Sequence, residues 1–379
     1  MNVKHQQVNN EKIHVFIKPF SKKDIHLLKK NWLTLEQHAE NQFFLSWKWI
    51  SCWLEQVINQ EKINLVQAEQ DGKVVGLGLF VEKKIVRHVV FKSKQWLLHR
   101  TGDSKKDQIW IENNNFLLAK DNIKNISDEI WKTLFTTQPQ VDEFIVAIAN
   151  TQHEKKICPI NSHYCEINNY QENGYYINLE KINNLTDYLS LLSKNTRQQI
   201  KRSIKNLDLL GTVEFTVFTD NNEQWQQLEQ SKKWHINKWQ QTNTPSGFCN
   251  ELFVDFHKRL ITTSHASSKT LVTRLKIDQE VVGCLYCLLD ADTAYFYLST
   301  LKPIQNNKIK LGLTMHSLLV EWLVTNNKTI TRYDFLAGDA QYKKSLAQYN
   351  NQYTYKTIQK KSLLFILETR LKALKTRGC

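Results

Sequence analysis

A chain of 379 residues with 51 Lys+Arg against 37 Asp+Glu carries a formal charge of +14, and its 41% hydrophobic and 23% charged residues are ordinary globular usage, which excludes disorder. Gly at 11 and Pro at 5 are too scarce for a collagen-like or Pro-rich chain. At about 100–200 residues per domain the length predicts two or three domains, and the positive excess points to an anionic donor or partner.

In chain order, Met1-Asn2-Val3-Lys4-His5-Gln6-Gln7 lacks an apolar leader core. No later stretch approaches the ~18 apolar residues of a membrane span, so a cytoplasmic chain is expected. Helical spacing runs from Phe20 to Glu55, with Trp47, Trp49 and Trp53 on a helix opened by Phe43-Phe44-Leu45-Ser46. Strands are expected over 64–69, 74–82 and 86–91, the first two joined by Asp71-Gly72, where Gly relieves a positive φ. A helix over 127–136 and a strand over 143–148 complete an α/β unit. The polar stretch from Gln152 to Gly174 reads as an irregular connection.

The second half repeats this order. Helices are expected over 185–207, 223–241 and 250–262, separated by a strand over 213–218. Strands over 269–276, 281–289 and 294–301 precede a helix over 311–325, a strand over 331–335 and a late strand over 353–358. An amphipathic basic helix over 362–375 ends the chain, its apolar run expected to pack on the body. Two similar halves imply a duplicated fold.

Several chemistries are excluded. Walker loop, GxGxxG, HExxH and GxSxG patterns are missing, and the 12 His are scattered, so no metal is expected. Cys284 and Cys287 lie three apart in an apolar strand run, so they face opposite ways and cannot chelate one metal. No zinc-finger or RRM motif appears, so sequence-specific DNA binding is not expected.

Three patches carry a family resemblance: Phe43-Phe44-Leu45-Ser46-Trp47-Lys48-Trp49 with 65–80; Thr101-Gly102-Asp103 with Asp107 and Ile111-Glu112-Asn113-Asn114; and Tyr333-Asp334-Phe335-Leu336-Ala337-Gly338-Asp339-Ala340-Gln341-Tyr342-Lys343-Lys344. With Leu192-Ser193-Lys194-Asn195-Thr196-Arg197 they resemble the BioF2-like, CelD-type branch of the GNAT acyltransferase superfamily, related to the Fem peptidyltransferases. The resemblance implies an α/β (α+β) fold of two tandem GNAT-like domains, each a mixed central sheet flanked by helices. Residues 10–165 would be the first, 175–360 the acyltransferase domain and 361–379 the basic helix.

It also implies an N-acyltransferase moving an acyl group from acyl-CoA (acetyl-CoA) to an amine in cell-envelope or polysaccharide metabolism. A Fem-like aminoacyl-tRNA-dependent transferase, or a non-catalytic module with a basic docking face, are the alternatives. The donor would lie on Thr300, Lys308, Lys310, Leu311, Gly312, Leu313 and Thr314, because a helix start offers N–H groups and dipole charge to phosphate. Family members carry Arg or Gln three residues before that Gly and Gly or Ala two after it; Ile309 and Thr314 stand there instead, so the donor class stays open. Tyr342 resembles the general acid of many GNAT enzymes. Lys343 would meet phosphate or a carbonyl, and Asp334 is either a base or a buried structural carboxylate. Asp103, Asp107 and Glu112, with Trp239, are candidates to receive the amine. Lys194, Arg197, Lys201 and Lys205 form a positive helical face that suits tRNA, a nucleotide donor or an anionic membrane.

Overall fold

Asp71 and Gly72 both take positive φ, 54° and 70°, so the expected two-residue turn forms and its meander with it. The computed structural model describes residues 12–40, 42–87, 91–150, 163–240, 242–263 and 269–368. The first half runs β1 (His14–Phe20), α1 (Ile25–Glu36), α2 (Trp47–Val57), β2 (Lys62–Gln70), β3 (Lys73–Arg87), β4 (Phe91–Leu98), β5 (Leu117–Leu118), α3 (Ile123–Thr137), β6 (Glu143–Asn150) and β7 (Tyr164–Asn178). Two helices follow, α4 (Leu185–Leu191) and α5 (Lys194–Asp208). The second half runs β8 (Val213–Phe218), α6 (Asn221–Trp239), α7 (Glu251–Thr262), β9 (Lys269–Ile277), β10 (Glu280–Asp290), β11 (Thr293–Leu301), α8 (Leu311–Asn326), β12 (Arg332–Ala337), α9 (Gln341–Leu346) and β13 (Tyr349–Lys360).

The strands form one continuous mixed sheet in the order β1-β2-β3-β4-β6-β13-β7-β12-β11-β10-β9-β8. Read inward from either edge, the pattern is the same. Three antiparallel pairings lead to one parallel pairing, β4 with β6 or β11 with β12, and then to an antiparallel one. The expected duplication is therefore present, with β7 and β13 paired at its centre. Each half gives its last strand to the other: β7 lies on β12, and β13 lies on β6. The limits 10–165 and 175–360 divide the chain but not the sheet, because β7 straddles them.

Other expectations shift. The connection read from Gln152 to Gly174 is β7 from Tyr164 onward. The strand read over 86–91 is the end of β3 and the beginning of β4. The helix read over 185–207 breaks at Ser193, whose hydroxyl accepts the Thr196 N–H and caps α5.

Three apolar cores hold the helices on. One lies under α1, α2, α6 and α7 on one face; the others lie under α3 and under α4, α5 and α8. Cys284 is in the first and Cys287 in the second, as strand alternation requires. The halves meet where Trp49 packs edge-on against Phe256 at 4.8 Å and Gln56 Nε2 donates to the Leu252 carbonyl. A helix over 363–368 is anchored by Phe365 on Phe91 and by Glu368 on Arg87. Phe365 of the apolar run packs on the body as expected, whereas Leu363, Leu364, Ile366 and Leu367 are exposed; Arg370, Lys372, Lys375 and Arg377 lie outside the described residues.

Candidate active site

β11 and β12 share only Thr293↔Arg332, Ala294↔Tyr333 and Tyr295↔Asp334 before they part. β11 bulges there: Tyr286 faces Leu298 and Cys287 faces Phe296, leaving Tyr297 over. β12 turns at Leu336, whose φ is 61°. The strands diverge, and a loop of the first half bridges the opening. Tyr297 donates its hydroxyl to the Ile109 carbonyl (2.5 Å), and the Ala337 N–H donates to Glu112 Oε2 (2.7 Å).

Charges crowd the β12 lip. Lys343 Nζ donates to the Ala337 carbonyl at 2.5 Å, so Glu112 and Lys343 hold the two polar groups of one residue. Burial raises the Glu112 carboxyl above the ordinary range, helped by Asp334 and Glu172 and opposed by the Ala337 N–H and Lys343. Burial lowers Lys343 against the pull of those carboxylates. Asp334 is raised by burial but accepts from Arg332 (2.7 and 3.1 Å), the Leu336 N–H (2.8 Å) and Asn351 (3.2 Å). Both of its oxygens are engaged, so it anchors the divergence as an ion pair.

Tyr342 stacks on His316 at 5.7 Å, and burial raises its hydroxyl pKa, so it stays protonated at neutral pH. His316 shares a 2.8 Å hydrogen bond with Tyr333 and is pushed down to about 3, first by burial and then by Lys343. It is a neutral wall for Tyr342 and does not titrate near neutrality.

At the start of α8, Ser203 of α5 accepts the Lys310 N–H (2.9 Å) and the Thr314 hydroxyl (2.7 Å). The N–H groups of Leu311, Gly312 and Leu313 still lack an intrahelical acceptor. A Cβ on Gly312 would meet only Leu301 Cδ1, at 3.3 Å, so the backbone can be approached closely there. Lys308 and Lys310 are exposed beside it, whereas Lys302 pairs with Glu280. These groups suit a phosphate. Ile309, at the position where the resemblance implies Arg or Gln, is buried in the core. Lys194, Lys201, Arg202 and Lys205 are exposed on α5, and Arg197 is half-buried.

Not every expected residue arrives. Thr300 is fully buried and gives its hydroxyl to Ser231 of α6, so its side chain cannot meet a donor. Thr314 and Leu311 are likewise buried. Lys343 points inward onto carbonyls and does not reach a phosphate. Asp107 is spent inside its loop, accepting from Thr101, Gly102 and Arg100. Asp103 is exposed and caps the N–H groups of Lys105 and Lys106. Trp239 stacks on His235, which bonds Ser246, at the far end of α6. Glu112 alone of the acidic loop reaches the opening. Glu172, Tyr297, Arg332, Asn351 and Ser203 were not foreseen; Ser203 sits on the Thr196–Ile200–Leu207 stripe, where a small polar residue among buried ones marks a contact.

The equivalent opening of the first half is filled. β4 and β6 pair only at Gln95↔Glu143, Trp96↔Phe144 and Leu97↔Ile145. Beyond them Asn114 donates its side-chain amide to the Leu98 carbonyl (2.7 Å) and its backbone N–H to the Ile148 carbonyl (3.2 Å). Phe116 follows, buried against Phe80 and Trp131.

Residues 194–344, which include β11, α8, β12 and α9 of the open site but not its visiting loop, Glu172 or Asn351, match the family model for the acetyltransferase (GNAT) domain. The chain carries a GNAT acetyltransferase domain. Its first half repeats the strand order of the GNAT domain, so the fold comprises two GNAT-like units. Among solved structures, the chain is similar to a conserved protein of unknown function from Bacteroides thetaiotaomicron, at 10% identity over 92% of this chain and 100% of that one, with a TM-score of 0.54. It is also similar to FemX, at 10% identity over 86% and 95% with a TM-score of 0.48. A tandem GNAT protein from the clavulanic acid biosynthesis pathway follows, at 8% over 92% and 99% with a TM-score of 0.43. At 10% identity the first likeness shows the fold alone. No curated protein matches the chain's sequence. Among the described residues, no group of three or more His, Cys, Asp or Glu side chains is set to hold a metal, and no helix is long and apolar enough to cross a membrane.

Proposed function

We propose that this chain is an N-acyltransferase that moves an acyl group from acyl-CoA, acetyl-CoA in the simplest case, to an amine. The observation that supports it most is the asymmetry of the two openings. The GNAT domain keeps its strands parted beside an accessible helix start, while the other half plugs the same place with Asn114 and Phe116.

In this reading the donor's thioester arm lies between β11 and β12. Its pyrophosphate rests on the N–H groups of Leu311, Gly312 and Leu313, with Lys308 and Lys310 beside it. Main-chain N–H groups freed by the Tyr297 bulge polarise the thioester carbonyl, and Tyr342 protonates the departing sulfur. The acceptor approaches past residues 109–112 of the first half. The acceptor would be a cell-envelope or polysaccharide precursor bearing an amine, handled in the cytoplasm, with domain limits of 10–165 and 175–360. Asp334 and Lys343, by contrast, serve as structural charges.

Calorimetry with CoA and acetyl-CoA tests this. Micromolar binding is expected, and none at millimolar ligand would overturn it in favour of a non-catalytic module. A second reading has its own observation: exposed Lys194, Lys201, Arg202 and Lys205 flank the same helix start and suit the phosphates of an aminoacyl-tRNA donor. It requires tRNA binding that falls steeply with salt.

A further inference from the structure

Amine acylation needs a group that takes a proton from the incoming ammonium, and the GNAT domain's own lip offers none that is free. Asp334 is held by Arg332, Asn351 and the Leu336 N–H. His316 is sealed in the core and bonded to Tyr333. Glu112 comes from the other half. Its Oε2 is fixed by the Ala337 N–H at 2.7 Å, beyond the last β11–β12 pair, and its side chain is only partly buried. The same loop is pinned to the opposite lip through Ile109 and Tyr297.

We infer that Glu112 is the catalytic base of the transfer, so the active site is assembled from both halves: donor and leaving-group acid from the second, proton acceptor from the first. This rests on the acyltransferase reading above. Two protons leave the nitrogen. The first passes from the ammonium to Glu112 Oε1 and on to water, freeing the lone pair that forms the N–C bond. The C–S bond then breaks toward sulfur, Tyr342 gives its proton to the thiolate, and the second nitrogen proton restores Tyr342.

The surroundings fit the task, because a base works best when its pKa lies near the working pH. Glu112 faces Lys343 on α9, Asp334 on β12, Glu172 on β7, Tyr353 on β13 and Tyr297 on β11. Burial and the two carboxylates raise it, and Lys343 restrains the rise. The Ala337 N–H fixes one oxygen and leaves the other to the acceptor.

The test is thiol release from acetyl-CoA with a panel of primary amines, followed across pH in the full chain. Wild type should lose kcat/KM as pH falls through a limb lying above the ordinary carboxylate range. Glu112→Gln can still accept the Ala337 N–H. It should bind CoA as wild type does, release thiol roughly 10²–10⁴-fold more slowly and lose the limb. Glu112→Asp, which keeps a carboxylate, should recover part of the rate and the limb; if the Gln variant is unfolded, this variant and its limb decide the matter. A Gln variant that keeps both rate and limb, or an Asp variant with no limb, overturns the base while leaving the acyltransferase intact. A wild-type chain that neither binds CoA nor releases thiol with any amine overturns both.

Discussion

Two openings with the same strand pairing have opposite fates. Between β4 and β6 the chain spends a long connection, residues 99–122, on filling the gap from within. Between β11 and β12 the connection is short, residues 302–310, and a helix begins at once. The loop that plugs the first opening with Asn114 is the loop that carries Glu112, two residues earlier, to the second. The two copies of the fold thus differ: the first opening is filled by its own loop, and the same loop reaches across to the β12 lip of the second.

The largest expected effect falls on the open copy. Tyr342→Phe should lower kcat for thiol release by about 10²–10⁴-fold with CoA affinity unchanged, the scale of one general acid. Full activity in that variant would show that Tyr342 merely packs on His316 and Phe335. Next comes the helix start. Gly312→Asp sets a negative charge among the N–H groups that should hold phosphate, and CoA affinity by calorimetry should fall roughly ten- to a hundredfold, about 1.4–2.7 kcal/mol. Unchanged affinity would place the donor elsewhere.

The plugged copy should respond in stability and not in donor binding. Asn114→Ala removes the donor to the Leu98 carbonyl and the partner of His99 Nδ1, while His99 Nε2 still accepts the Leu79 N–H, so denaturant unfolding should show a loss of about 1–3 kcal/mol, with CoA affinity intact. Acid should attack the same plug. Burial pushes His99 down to about 4 from an unfolded value of 6.5, so its contribution is complete above pH 6.5 and is lost as pH falls toward 4. The melting temperature should drop across that window, and a flat profile would remove His99 from the account. Smallest of all, neutralising Lys201, Arg202 and Lys205 together should leave the melting temperature nearly unchanged, since exposed charges contribute about 0–1 kcal/mol. A large fall would show that α5 needs them to cover α8.

Much of this was legible in the residues. Apolar alternation located the meanders, Asp71-Gly72 their turn, and the strand over 331–335 was located just before Tyr342, although the short helix α9 that bears Tyr342 was not. Of the two central strands, the late strand over 353–358 falls within β13, but β7 was not legible: its middle carries Gln171, Glu172 and Asn173 and is held by pairing with β13, and apolar burial is confined to its ends at Tyr164 and Ile177. The edge strand β1 was missed for a related reason: it is exposed along most of its length and contains Pro19. In the site, Glu112 was visible as an acid in a loop. Its seat on Ala337 joins residues 225 apart in sequence, which no local pattern encodes. The inward turn of Lys343 was equally hidden, because burial against two carbonyls follows from the path of β12 past Leu336.

The crossed strands at the centre have a consequence for how the molecule is made. During synthesis β6 emerges with an open edge, and the strand that covers it, β13, is not delivered until residue 360 has left the ribosome. For more than half of translation the first copy is an unfinished sheet, and unpaired edges are where chains stick to one another. Neither copy can be expressed alone as a finished body, and a stop codon anywhere before β13 unmakes the half synthesised first. The sheet is continuous only once β13 is in place between β6 and β7.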